Sequence, residues 1–185
     1  MPKNLLRQKL LKQRQRIDGS DCLRRSDVIQ QALLNRPEYQ DAELLALYAP
    51  IRNEVQTSAL FSAARKVGKR VCFPRVQGDS LEFFEVDDCS ALKPGSFGIA
   101  EPLDGKPVSV AAIDLMVVPG VGFDRLGYRL GYGRGYYDRL VNSGRPAVMA
   151  GLAYEIQIVE ELPKEDHDVR LDLLVTDNGI IKIER

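Results

Sequence analysis

A three-layer α/β domain with a mainly parallel sheet is the fold class that this sequence predicts, and three observations point to it. Short apolar runs of strand length alternate with longer amphipathic stretches, the pattern of helices packed on both faces of a sheet. The run 113–118 is nearly all apolar, as in a strand covered on both sides. Near the C-terminus, Asp177-Asn178-Gly179 separates the apolar runs 171–176 and 180–183. An asparagine–glycine pair in that setting signals a hairpin, so an antiparallel edge is expected there.

Taken in order, residues 3–16 favour helix, with Leu6 and Leu10 one turn apart on a single stripe. Lys3 and Arg7 are also four apart, so they project from one side and can converge on an anion; a solvated basic face is the plainer reading. A second helix is expected from Asp21, which can cap it, with Val28, Ile29, Ala32 and Leu33 facing inward before Pro37. Residues 44–48 read as a buried strand closed by Pro50 and followed by a loop at 51–56. Thr57 is placed to cap the next helix, whose core face would be Leu60, Phe61, Ala64 and Val67, with Gly68 as its stop. Strands follow at 71–73 and 81–86, joined through a turn at Gly78-Asp79. The proline- and glycine-rich segment 87–110 should be an irregular surface connection. Beyond the 113–118 strand, a helix start is expected at 136–141, a buried strand at 147–152 and a short helix at 155–162.

Composition narrows the function classes. A chain of 185 residues with 44% hydrophobic content suits one domain, taken as 1–185. Its 26 basic and 26 acidic residues cancel, so neither nucleic acid nor an anionic membrane is expected as a partner, and any anion must be caught locally. Cys22, Cys72 and Cys89 are odd in number and widely spaced, with no C-x-x-C pair, which fits a reducing cytoplasm better than a disulfide framework. The basic N-terminus lacks the apolar run of a signal peptide, and no stretch approaches the ~20 apolar residues of a membrane span. No internal repeat is visible, and a monomer is expected.

The chemistry concentrates between the 113–118 strand and the helix near Tyr137. Six glycines fall within the sixteen positions 120–135, and Gly131, Gly133 and Gly135 alternate. Such spacing bares backbone N–H groups and allows positive φ, which lets a chain form a concave nest around phosphate oxygens. Arg129 and Arg134 add full charges and forked donors. The loop follows the carboxyl end of a central strand, where open α/β sheets hold ligands. It is neither a Walker A motif nor the dinucleotide fingerprint, because the Gly-Lys-Ser/Thr ending and the G-x-G-x-x-G spacing are both absent. Asp138 admits two readings, a Mg²⁺ ligand beside polyphosphate or an acid complementing a helix start. Asp172 also admits two, a group facing the same crevice or the end of a loop. Of Tyr136 and Tyr137, one is expected at the site and one in the core.

The runs Pro119-Gly-Val-Gly-Phe-Asp124 and Arg129-Leu-Gly-Tyr-Gly-Arg-Gly-Tyr-Tyr-Asp138 resemble the signature of the 5-formyltetrahydrofolate cyclo-ligase family. The likeness extends along the chain through Lys3 and Arg7, Asn53-Glu-Val-Gln-Thr57, Phe73-Pro-Arg75, Phe97-Gly-Ile-Ala-Glu-Pro102, and His167-Asp-Val169 with Asp172. It implies a fold similar to the NagB/RpiA/CoA-transferase group and an ATP- and Mg²⁺-dependent closure of 5-formyltetrahydrofolate to 5,10-methenyltetrahydrofolate. By this resemblance Lys3, Arg7, Arg129 and the loop Leu130, Gly131, Tyr132, Gly133, Arg134, Gly135, Tyr136 and Tyr137 would hold ATP. Ala49 and Glu54 would bind the folate together with Tyr132, Gly133, Arg134, Gly135 and Tyr136. Arg134 and Tyr136 would act in catalysis, and Asp138 and Asp172 would carry magnesium. The sequence departs from the pattern at Tyr132, where family members commonly have arginine or glycine, leaving the loop one charge fewer and a bulkier wall.

Two other functions compete. One is a phosphosugar isomerase or acyl transferase on a related fold, with Glu54 or Asp114 as base and no need for ATP. The other is an ATP-binding module without catalysis. A serine–histidine–aspartate hydrolase is poorly supported, since His167 is the sole histidine and no G-x-S-x-G elbow occurs.

Overall fold

The computed structural model describes residues 2–140, 144–165 and 168–184. Among the described residues five helices run in order: α1 (Lys3–Gln15), α2 (Gly19–Leu34), α3 (Pro37–Gln40), α4 (Ser58–Lys66) and α5 (Tyr136–Leu140). The strands of the first half are β1 (Leu44–Ala46), β2 (Arg70–Gln77), β3 (Ser80–Glu85), β4 (Leu92–Pro94), β5 (Ala100–Pro102) and β6 (Pro107–Val108). Those of the second half are β7 (Leu115–Val118), β8 (Gly122–Asp124), β9 (Arg129–Leu130), β10 (Val148–Ala153), β11 (Ile158–Val159), β12 (Leu173–Thr176) and β13 (Gly179–Lys182).

The main sheet has the order β13-β12-β10-β7-β1-β2-β3-β6. Its five inner strands, β12-β10-β7-β1-β2, are parallel. β13 closes one flank antiparallel, as the Asn178-Gly179 turn predicts, and β3 and β6 make the other flank antiparallel as well. Strand pleating sorts the apolar residues into two layers. Leu45, Leu47, Leu115 and Val117 join Ile29, Leu33 and Leu60 from α2 and α4 in one core. Leu44, Ala46, Met116 and Val118 join Val110, Ile113, Phe123 and Leu140 in the other. The protein is thus an α/β fold with a mainly parallel central sheet flanked by helices, three layers deep. Each fully buried leucine or valine of this kind stabilises it by roughly 1.5–3 kcal/mol. Leu6 and Leu10 of α1 seal a third, smaller cluster with Val121, Leu130 and Leu162.

Several local expectations are corrected. α2 begins at Gly19, and its cap is Asp18, which accepts from the N–H groups of Ser20 and Asp21. Val28 and Val67 point to solvent, because the inward face of α2 runs through Cys22, Ser26, Ile29, Gln30 and Leu33, and α4 ends at Lys66. Thr57 precedes α4 but its hydroxyl donates to the Tyr48 carbonyl; the N–H groups of Ala59 and Leu60 are met by Gln30 Oε1 from α2. Gly68 does end the segment at φ +79°. The 87–110 connection contains the β4–β5 hairpin and β6. Residues 155–162 do not form a helix: a single 3₁₀ turn at Glu155–Gln157 leads into β11, which pairs with β8 beside β9. Gln157 decides this, since its buried amide donates to the carbonyls of Gly120 and Val121 and accepts from Tyr154 N–H. Val141 and His167 lie outside the described residues.

Candidate active site

In the parallel sheet the chain steps outward from β1 to β2 and later returns to β7 on β1's other side, so strand order reverses between β1 and β7. Connections leaving these two carboxyl ends diverge and open a crevice. A cleft of about 370 Å³ lies there, floored by Tyr48, Ala49 and Glu54 after β1 and by Pro119 after β7. The glycine-rich loop and the start of α5 form one wall, and Phe97 with Ile99, from the segment between β4 and β5, forms the other.

The loop wall is bare backbone flanked by arginines. Gly133 and Gly135 take φ of +97° and +66°, and nothing would meet a side-chain carbon at Gly131 within 4 Å, so the backbone there is bare. Arg7 of α1 braces the loop from behind, its Nε donating to the Gly131 carbonyl at 2.8 Å. The Arg129 side chain is only 3% exposed; one nitrogen donates to Asp138 Oδ1 at 2.8 Å, and its Nη1 is buried with no hydrogen-bond partner among the described residues. An orphaned guanidinium N–H in a cleft wall is a demand for an acceptor. Arg134 is exposed and lies over the Phe97 ring at 4.7 Å, so the two walls touch across the mouth. Phe97 holds φ +59°, a conformation that costs a bulky residue of order 1–3 kcal/mol and is kept where a side chain must be aimed.

The floor is the opposite kind of surface. Glu54 is 4% exposed; Oε2 accepts from Ile51 N–H, and Oε1 accepts from the Tyr132 hydroxyl at 3.0 Å. Burial pushes its carboxyl up, against the pull of nearby Arg14 and the two hydrogen bonds. The Tyr132 phenol is pushed up to about 12, chiefly by burial and by the facing carboxylate. Tyr137 is raised by burial as well, and its ring sits beneath the Arg129 guanidinium at 5.3 Å.

Most residues singled out from the sequence meet at this cleft. Ala49, Glu54, Arg129, Gly131, Tyr132, Arg134, Gly135, Tyr136, Tyr137 and Asp138 line it, and Arg7 and Gly133 pack at the back of its loop. Tyr136 and Tyr137 do not divide between site and core: both line the cleft and both pack against the second core. Leu130 turns into the small cluster beneath α1. Lys3 is not in the lining; its ammonium pairs with Glu165 at 2.9 Å and Asp168 at 3.1 Å. Asp172 is not brought together with Asp138. It precedes β12 at the amino end of the sheet, where its Oδ2 accepts from Met149 N–H and meets Arg145 at 3.0 Å. Asp114 lies at the same end, accepting from the N–H groups of Glu43 and Leu44, far from any role as base in the cleft. Among the described residues no group of three or more His, Cys, Asp or Glu side chains could hold a metal by itself. The residue that sequence reasoning missed is Arg14; its signal was a charge on the Leu6/Leu10 stripe, eight residues after Leu6.

Comparison with known proteins agrees with the geometry. A sequence model of the 5-formyltetrahydrofolate cyclo-ligase family matches residues 1–177. The 5-formyltetrahydrofolate cyclo-ligase of Haemophilus influenzae is 36% identical over 155 residues, covering 80% of this chain and 83% of its own. That of Mus musculus is 31% identical over 179 residues, covering 88% and 87%. The solution structure of Aquifex aeolicus 5,10-methenyltetrahydrofolate synthetase, 36% identical, superposes with a TM-score of 0.90 over 100% of this chain and 94% of its own. Fold, cleft and sequence converge on one conclusion: the chain belongs to the 5-formyltetrahydrofolate cyclo-ligase family of enzymes.

Proposed function

We propose that the cleft closes 5-formyltetrahydrofolate to 5,10-methenyltetrahydrofolate at the expense of ATP, releasing ADP and phosphate. The observation that carries this reading is the pairing of two complementary surfaces in one crevice. One is a carboxylate floor at Glu54, and the other is a loop of bare glycines with Arg129 Nη1, buried without a partner among the described residues. Family membership supports the cyclo-ligase reaction, and the chemistry of a formamide supports the need for ATP. A formamide oxygen leaves poorly. Transfer of the γ-phosphoryl group to it gives an iminium phosphate and ADP; N10 of the folate then bonds to the formyl carbon and releases its proton to solvent, and the carbon–oxygen bond breaks as phosphate departs with the oxygen.

Phosphoryl transfer is catalysed mainly by positioning and by neutralising charge. In this reading Arg7 holds the loop in shape, while Arg129 and the N–H groups of Gly131 to Tyr137 bind the triphosphate. Arg134 and Tyr136, at the mouth between the walls, contact both substrates and are the catalytic pair. Glu54 accepts from the ring N–H groups of the pterin, which a carboxylate can do with both oxygens. Phe97 offers the folate an aromatic face. Asp138 is the carboxylate suited to Mg²⁺, which prefers one or two carboxylates plus phosphate oxygens and would offset the charge on the phosphates. Lys3 joins only if it exchanges Glu165 and Asp168 for phosphate. Every wall comes from one chain, so the reading needs no second copy, and three free cysteines suit a reducing cytoplasm.

The test is a folate assay that follows absorbance of the methenyl product. Turnover should require both ATP and magnesium, and Arg134→Ala should abolish it with an unchanged far-ultraviolet circular dichroism spectrum. Cyclisation without nucleotide, or full activity in Arg134→Ala, overturns the assignment.

A further inference from the structure

We propose that Arg14, buried in the amino-terminal helix, is the positioning cation for the Glu54 carboxylate, acting through Tyr132. This rests on the folate-binding role of Glu54 proposed above.

Arg14 continues the stripe Leu6–Leu10 toward the core and is 1% exposed. A guanidinium so buried survives only when its donors are met and its charge is answered. Its donors are met by three separate segments. Nε donates to the Arg52 carbonyl at 3.1 Å, Nη1 to the Gly120 carbonyl at 3.0 Å, and Nη2 to the Tyr132 hydroxyl. The charge is answered by Glu54, whose Oε1 lies 3.8 Å from Nη2. The Tyr132 hydroxyl stands between them, accepting from Arg14 and donating to Glu54 Oε1. One helix side chain therefore ties together the turn that carries Glu54, the chain leaving β7, and the glycine-rich loop.

The turn needs such a tie. Arg52 and Asn53 both hold positive φ, +48° and +58°, a conformation that asparagine tolerates and arginine disfavours. Asn53 adds a bond from its amide to the Ile17 carbonyl, just beyond α1.

The chemical consequence concerns protonation. A carboxylate offers about four acceptor sites. Tyr132 and Ile51 N–H occupy one on each oxygen of Glu54, which leaves each oxygen an acceptor site for a ligand edge with two adjacent N–H donors. A protonated Glu54 would present a donor to such an edge instead. Burial drives Glu54 toward that neutral form. The groups that face it are Arg14 from α1, Arg52 from its own turn, and the phenols of Tyr48, Tyr132, Tyr137 and Tyr154. All four phenols are held above their ordinary range by burial, so they are neutral near pH 7. Arg52 is solvent-exposed, where its charge is screened. Arg14 is the one buried cation beside the carboxylate among the described residues.

Two measurements test this. In the ligand-free protein, ¹³C-carboxyl titration of Glu54, assigned with Glu54→Gln, should move upward in Arg14→Met and recover in Arg14→Lys. An unmoved titration in Arg14→Met overturns the proposal whether or not the folate reading holds. In the cyclisation assay Arg14→Met should raise the KM for 5-formyltetrahydrofolate several-fold at pH 7. The KM for ATP should hold, and the folate KM should fall again as pH rises and Glu54 re-ionises. A KM defect independent of pH would mark Arg14 as merely structural. Exchange supplies a second check should Arg14→Met fold poorly. Tyr132→Arg alone sets two guanidinium groups together and should weaken folate binding, whereas Arg14→Leu with Tyr132→Arg should restore it. A double variant no better than Tyr132→Arg overturns the assignment of Arg14 as the positioning charge. Failure of the native protein to bind folate, with the Glu54 titration still coupled to Arg14, would sink the folate reading and leave the coupling intact.

Discussion

At the amino end of the parallel strands, Asp114 and Asp172 each place a carboxylate oxygen on the backbone N–H of a neighbouring strand, β1 in one case and β10 in the other. At the carboxyl end, Asp138 meets Arg129 at 2.8 Å. Each edge also pairs an aspartate with an arginine that keeps one buried nitrogen unbonded among the described residues, Arg145 Nε on Asp172 and Arg129 Nη1 on Asp138, but only the Arg129 pair lines the cleft. A ligand can satisfy a buried donor only where a cleft gives access to it, so the difference between the edges lies in the place of Arg129 in the cleft lining.

The largest effect expected from this contrast belongs to Arg129→Met, which keeps the apolar stem and removes the orphaned charge. It should lower kcat/KM on the order of 10²–10³-fold, the range for deleting one preorganised donor, with an unchanged or raised thermal midpoint. A large loss of stability with activity intact would reverse the comparison. Next come the two aspartates. Asp138→Asn should raise the magnesium concentration needed for half-maximal rate, while Asp172→Asn should lower stability by about 1–3 kcal/mol, the range for a hydrogen bond to a charged group, and leave the magnesium response alone. If Asp172→Asn instead shifts magnesium dependence, the amino edge belongs to the site after all. A finer effect separates the loop glycines. Gly133→Ala, at φ +97°, should cost roughly 1–2 kcal/mol of loop strain and weaken ATP binding in titration calorimetry more than Gly131→Ala, whose site is open.

The smallest effect is on acid stability, far from the cleft. Glu85 is held below the usual carboxylate range by its hydrogen bond to Arg70, and Glu38 by its hydrogen bond to Arg36. A carboxyl lowered in the folded state stabilises fully above its unfolded pKa and loses that contribution as pH falls through the folded value. Urea midpoints should therefore decline below about pH 4.3, and Glu85→Gln should flatten the decline slightly without altering folate KM.

Much of this was readable in the residues. The 113–118 run became β7, the Asn178-Gly179 turn closed β12 on β13, and Gly131, Gly133 and Gly135 became the bare wall of the cleft. These features are local: apolar continuity, a turn dipeptide and the absence of side chains act within a few residues of themselves. Asp172 was ambiguous because a carboxylate before a strand reads alike at either end of a sheet. Residues 155–162 misled for a similar reason, since only the carbonyls of Gly120 and Val121 tell Gln157 to turn inward and release Ile158 and Val159 into a strand.

The sequence by itself determined the layered α/β class, the glycine-rich loop and the family signature, because spacing and composition encode them directly. Only the tertiary structure decided that Glu54 lies on a buried floor, that Arg14 faces it through Tyr132 across gaps of 40 and 78 residues, and that Lys3 is paired with Glu165 and Asp168. A buried charge is tolerable only through partners distant in the chain, and no local pattern records which partners the fold will bring.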